Sequence, residues 1–100
     1  MKHTLKLNNG LAVLTESLLA APDGYGTAAD LLRGAKLSTR IAAPPREGDP
    51  GPDWMFENER EIEITEKERD LLKAVVTKHV GKIPASAISA KLLEQLGFDA

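Results

Sequence analysis

The chain has 100 residues, 42% of them hydrophobic but only four aromatic (Tyr25, Trp54, Phe56 and Phe98), and a formal net charge of −2. That length suits one domain with a core of Leu, Ile, Val and Ala, stable by a narrow margin. The complete lack of Cys excludes disulfide frameworks, Cys-ligated zinc and thiol catalysis and fits a reducing compartment.

His3–Leu7 alternates, with His3, Leu5 and Leu7 on one side, which is strand periodicity. Asn8-Asn9-Gly10 is a turn signal. Leu11–Leu14 then reads as a second strand leading to a short helix over Thr15–Ala21 with Thr15 as its N-cap; the other reading puts Leu11, Leu14 and Leu18 on one helical face. This apolar stretch is too short and too polar for a membrane span and lacks a secretory layout, so a soluble, cytoplasmic protein is expected.

After a loop over Pro22–Gly26, Thr27 caps a helix with Asp30 at its third position. Ala28, Leu31, Leu32, Ala35, Leu37, Ile41 and Ala42 form its expected apolar face, and Arg33, Lys36 and Arg40 a basic stripe opposite. Gly34 inside this helix costs about 1 kcal/mol relative to Ala, so it marks close packing against another element. Residues 43–53 hold four of the six prolines and predict a Pro/Gly-rich surface loop. Trp54-Met55-Phe56 follows as either a core anchor or an exposed contact patch, and the single Trp of a small domain favours burial.

Glu61–Ile64 alternates again, with Ile62 and Ile64 inward and Glu61 and Glu63 outward. The acids complement Lys2 and Lys6, so the two strands are expected to pair. Thr65 and Glu68 form a capping box for a helix whose buried face is Leu71, Leu72, Val75, Val76, His79 and Val80. Gly81 ends it and Pro84 forbids its continuation. A last helix is expected over Ala85–Leu96, with Ile88, Leu92, Leu93 and Leu96 as its seam and Gly97 as its stop. The fold class expected is α+β: a single domain over residues 1–100, mostly helical, with a minor two- or three-stranded antiparallel sheet.

Little of this carries chemistry. Gly24-Tyr25-Gly26-Thr27-Ala28-Ala29 matches a dinucleotide fingerprint, but it lacks a good strand before it and an acid at a strand end after it. A flexible approach to the helix explains the glycines, with weak anion binding at the helix N-terminus as the sharper reading. His3 and His79 would need carboxylates from distant positions to hold zinc, and His79 lies on an apolar seam. Prolines between Asp49 and Asp53 break the spacing of a calcium loop. Seven carboxylates crowd Glu57–Asp70, too many to single out an acid–base pair, and Ser17, Ser38, Ser86 and Ser89 lack a nucleophile elbow. The expectation is no enzyme, no cofactor, no metal and no small-molecule ligand.

Charge is uneven: residues 1–46 sum to +3 (six Lys/Arg, three Asp/Glu) and residues 47–100 to −5 (seven Lys/Arg, twelve Asp/Glu). Complementary surfaces within one fold explain this simply, and head-to-tail contact between copies or docking on a basic partner is the sharper reading. The last two helices superficially resemble a helix-turn-helix, but the reading helix offers only Lys91 and Gln95. Three cations on the basic stripe would give weak, salt-sensitive nucleic-acid binding.

The order of TLKLNNG, TAADLLRGAKLSTRI, EIEITEKERDLLKAVV and LLEQLG resembles that of small uncharacterised proteins encoded in tailed-phage and prophage genomes. The resemblance is one of layout and covers most of the chain outside residues 43–56. It implies a bacterial or viral setting and a non-enzymatic role through protein–protein contact, as an assembly or accessory factor or a host-protein inhibitor, with homo-oligomerisation expected. The surfaces this points to are Trp54-Met55-Phe56 and, for an alternative role as a nucleic-acid or transcriptional accessory protein, Arg33, Lys36 and Arg40.

Overall fold

The computed structural model describes residues 2–21, 23–43, 48 and 51–99, so most of the expected Pro/Gly-rich loop, and Asp49 of the calcium reading, lie outside the described residues. The elements run β1 (Lys2–Leu7), α1 (Asn9–Leu19), α2 (Ala28–Ile41), a 3-10 turn (Pro52–Phe56), β2 (Arg60–Thr65), α3 (Glu66–Lys78), a second 3-10 turn (Val80–Lys82) and α4 (Ala87–Gln95). This is the α+β class expected, a mostly helical domain with a small antiparallel sheet. None of the described helices is long and apolar enough to cross a membrane.

Among the described residues the sheet has two strands, β1 and β2, in the register Lys2↔Thr65 through Leu7↔Arg60. Leu5, Leu7 and Ile64 are buried on its inner face, which α1 and α3 cover, while Lys2, Thr4, Lys6, Glu61 and Glu63 face out. The charge pairing that suggested this sheet is present: Lys6 stands opposite Glu61, and Lys2 reaches Glu63 diagonally at 3.6 Å. Both members of that second pair are largely exposed, which limits it to about 0–1 kcal/mol.

The strand expected over Leu11–Leu14 is instead helix. The Asn8 side chain accepts from the Leu11 amide at 2.9 Å, so the turn signal is an N-cap, and α1 starts at Asn9. Thr15 is no cap: it is buried in the helix and donates its hydroxyl to the Leu11 carbonyl at 2.7 Å. Leu11, Ala12, Thr15, Leu18 and Leu19 form the buried side of α1, which touches α2, α3, α4 and β1. A helix enclosed by so many neighbours loses the polar face that would reveal its period.

Helix α2 is capped by Thr27 as expected but is rotated from the expected face. Gly34, Leu37 and Ile41 are buried, whereas Leu31 and Leu32 are 55% and 57% exposed. Gly34 does mark a close approach, since a methyl there would overlap the Tyr25 hydroxyl and lie 2.6 and 2.7 Å from that ring's Cε1 and Cζ. The carboxyl end of α2 is tied down by polar contacts. Arg60 donates to the Ile41 carbonyl at 2.5 Å, Arg40 meets Glu68 at 2.6 Å, and the Glu16 carboxylate accepts from the Ala43 amide at 2.8 Å. These ties orient the helix.

The capping box of α3 is complete: Thr65 Oγ1 accepts from the Glu68 amide at 3.1 Å, and Glu68 Oε1 accepts from the Thr65 amide at 2.8 Å. Its buried face is Leu71, Leu72, Val75, Val76 and His79. Val80, expected on that face, is 64% exposed because the helix stops at Lys78 and the chain tightens into the 3-10 turn. Helix α4 begins two residues later than expected, with Ser86 as its cap. It packs chiefly on α1, an arrangement unlike the helix-turn-helix reading, in which it would pack on α3.

Candidate protein-contact surface

Asn9 is fully buried, and its polar groups converge on the segment carrying the aromatic run. Its amide N–H donates to the Glu57 carbonyl at 3.0 Å. Its side-chain Nδ2 donates to the Trp54 carbonyl at 2.9 Å, and its Oδ1 accepts from Asn58 Nδ2 at 3.0 Å. The Trp54 carbonyl also accepts from the Glu57 amide at 3.2 Å, closing the turn on itself. Asn58 supports the geometry with φ +58°, a left-handed conformation that Asn tolerates better than most residues. At the adjacent Gly10, a methyl would come within 3.1 Å of Ile88 Cδ1 and 3.2 Å of the Met55 carbonyl, so the turn sits hard against α1 beside α4.

The backbone of Trp54-Met55-Phe56 is thus pinned while its side chains are not enclosed. Trp54 is half-buried, Met55 is 39% exposed and Phe56 52% exposed. The expectation that this run is a core anchor is corrected for Met55 and Phe56: the buried cluster closes without them, and Trp54 is only half-buried. What anchors the turn is polar, a buried amide that meets exposed carbonyl ends. The sequence signal for it was Asn9 itself, inside a doublet read only as a turn.

The basic stripe is divided by intramolecular pairing. Arg33 Nη1 lies 3.0 Å from Asp30 Oδ1, one helical turn earlier. Arg40 meets Glu68 at 2.6 Å and also donates to the Glu63 carbonyl. Lys36 is exposed. Burial of Glu68 favours its neutral form, but the Thr65 amide, the Arg40 guanidinium and the Thr65 hydroxyl outweigh this, and its carboxyl is held below the ordinary value. Two of the three cations on which the nucleic-acid reading rests are therefore engaged in holding α2 together and onto β2 and α3.

The glycine motif resolves into packing. Leu18 and Leu19, ahead of Gly24, end α1 rather than forming a strand. Tyr25 lies against Gly34 and donates its hydroxyl to the Leu19 carbonyl at 2.5 Å, and burial pushes its phenol above the ordinary value. His79 is buried at the end of α3 with Nε2 3.6 Å from the exposed Asp23 carboxylate. No group of three or more His, Cys, Asp or Glu side chains among the described residues is placed to hold a metal ion. Comparison with protein-family models, curated proteins and solved structures finds no match to this chain.

Proposed function

We propose that this chain is a small non-enzymatic protein of the phage or prophage type that acts in the bacterial cytoplasm by protein–protein contact, with Met55 and Phe56 as the contacting side chains. One observation carries the reading: Asn9 is a buried amide devoted to fixing a turn whose apolar side chains point outward. Taking an amide out of water costs about 1–3 kcal/mol unless its bonds are replaced. Here the replacement bonds rigidify a surface feature rather than the core. Aromatic residues and Met are enriched at interfaces, and a backbone already held in place removes part of the ordering cost of association. The layout resemblance points the same way, toward an assembly factor, accessory part or host-protein inhibitor that also self-associates.

The test compares wild type with Phe56→Ser and Met55→Ser by light scattering after size exclusion, and by capture of interacting protein from a bacterial lysate. The expected result is a wild-type oligomer that the substitutions convert to a folded monomer, or a captured protein that both variants lose at unchanged melting temperature. Variants that keep wild-type mass and every captured protein refute the assignment to this turn.

A further inference from the structure

The two-stranded sheet has two outer edges, and they differ in charge and in which backbone groups are covered. In an antiparallel pair, alternate residues turn both backbone groups toward the partner strand or away from it. Lys6 turns both away, because its N–H donates to Gln95 Oε1 at 2.6 Å and its carbonyl accepts from Gln95 Nε2 at 3.0 Å. By alternation Thr4 also faces away, as do its partner Glu63 and the pair Lys2↔Thr65. On the β2 side two outward groups are occupied, since Arg40 donates to the Glu63 carbonyl and the Thr65 amide donates to Glu68 at 2.8 Å, while the outward side chains there, Glu61 and Glu63, are acidic. On the β1 side, among the described residues, only Lys6 is covered, and it is covered by a side-chain amide that donates and accepts as a neighbouring strand would. Thr4 is exposed, with no hydrogen bond from its outward groups to any described residue.

We propose that the outer edge of β1 is a strand-addition site for an extended, acidic segment of another protein. The occupant follows from charge. The outward side chains along this edge are Lys2, Thr4 and Lys6. A second copy pairing antiparallel about Thr4 would set Lys2 directly against Lys6 of its mate, and like charges opposite one another are unfavourable. An incoming strand with acids at alternate positions repeats on this side what Glu61 and Glu63 of β2 do on the other. Its backbone would use the Thr4 N–H and carbonyl, and Gln95 would mark the end of the pairing or yield its place. This surface is separate from the Met55–Phe56 turn.

The experiment is an amide-resolved NMR titration with a blocked seven-residue peptide alternating Glu and Val, and with a Lys–Val peptide of equal length. The Glu–Val peptide should shift the Lys2, Thr4 and Lys6 amides and slow hydrogen exchange at Thr4 about tenfold, what one net hydrogen bond gives. The Lys–Val peptide should do neither. Thr4→Pro removes only an outward donor and is tolerated on a strand edge, so it should keep the spectrum of the fold and abolish the response. The double exchange Lys6→Glu with Glu61→Lys keeps the cross-strand pair but reverses one of the two charges on the edge, and should weaken Glu–Val binding about fivefold. Phe56→Ser should leave the response intact, which separates this site from the one proposed above. No response to the acidic peptide, an equal response to both peptides, or a response that survives Thr4→Pro overturns the proposal. So does protection of Thr4 that grows with protein concentration alone, since the occupant is then a second copy.

Discussion

Replacing Gly34 with Ala sets helix propensity against packing, and the structure says which wins. Gly34 lies in the middle of α2, where Ala is favoured over Gly by about 1 kcal/mol. The added methyl, however, falls on the Tyr25 hydroxyl and ring. Tyr25 must swing away, losing its bond to the Leu19 carbonyl, worth about 1 kcal/mol. It also re-exposes about 60 Å² of ring, which at about 25 cal/mol/Å² costs about 1.5 kcal/mol. The net is a destabilisation of about 1–2 kcal/mol, or a fall of about 5–10 °C in melting temperature for a domain of this size. Thermal unfolding followed by Trp54 fluorescence reads it directly. In a Tyr25→Ala background the same substitution should change sign and stabilise by about 1 kcal/mol. The tyrosine titration gives a second readout, because Tyr25 is the only tyrosine and burial raises its phenol above 10.0. With the folded value above the unfolded one, this group's contribution to stability is fully present below the unfolded value and is lost as pH rises through the folded one. Gly34→Ala should return the titration toward the ordinary value. A melting temperature that rises in the single variant refutes the close approach of Tyr25 to α2.

Other consequences are equally direct. Glu68→Gln should cost about 1.5–3 kcal/mol in urea unfolding, since it weakens charge-assisted bonds to Arg40 and the Thr65 amide at a nearly buried position. Because the Glu68 carboxyl is held below its ordinary value, its contribution is present above the unfolded value and disappears as pH falls through the folded one; an acid-unfolding curve should lose that component in the Gln variant. Asn9→Ala should cost about 2–4 kcal/mol and speed hydrogen exchange across residues 54–58, because it removes two side-chain bonds and leaves a buried void. Leu37→Ala should cost about 2–5 kcal/mol, whereas Leu31→Ser and Leu32→Ser should stay within about 0.5 kcal/mol, which tests the rotation of α2. A double-mutant cycle on Lys6 and Glu61 should return about 0.2–1 kcal/mol of coupling.

What was legible in the sequence is what local rules decide. The capping box at Thr65 and Glu68, the Thr27 cap at its helix start, and the alternation of both strands all act over three or four residues. The pairing of β1 with β2 was legible too, although it spans the chain, because two short alternating segments with opposite outward charges leave few other partners. Helix α1 was misread because a capping Asn and a turn Asn look alike, and because a helix enclosed on most sides shows no polar stripe. Helix α2 was misread because counting apolar residues favoured Leu31 and Leu32, while the face was decided by Gly34 against Tyr25 and by long-range polar ties from Glu16, Arg60 and Glu68. Those ties join residues 19–28 positions apart, and no local pattern announces them.

The same functional group, a side-chain amide, bears on both candidate surfaces. Asn9 and Gln95 each use a side-chain amide to satisfy backbone groups of another segment, Asn9 on the 52–58 turn and Gln95 on the edge of β1. An amide is suited to this because it carries a donor and an acceptor in the spacing of a peptide group. The two sites differ in depth, and the difference bears on function. Asn9 is enclosed, so the turn it fixes cannot exchange its partner without opening the core, and the Met55–Phe56 surface is rigid in consequence. Gln95 is only half-buried, so a backbone strand of better geometry can replace it without disturbing Leu92 or Leu96 beneath. If the edge of β1 is a docking site, Gln95→Ala should therefore tighten the acidic peptide at little cost to folding, whereas Asn9→Ala should loosen the Met55–Phe56 turn and lower stability together. Equal loss of stability in both variants would show that Gln95 is a strut of the fold rather than a placeholder.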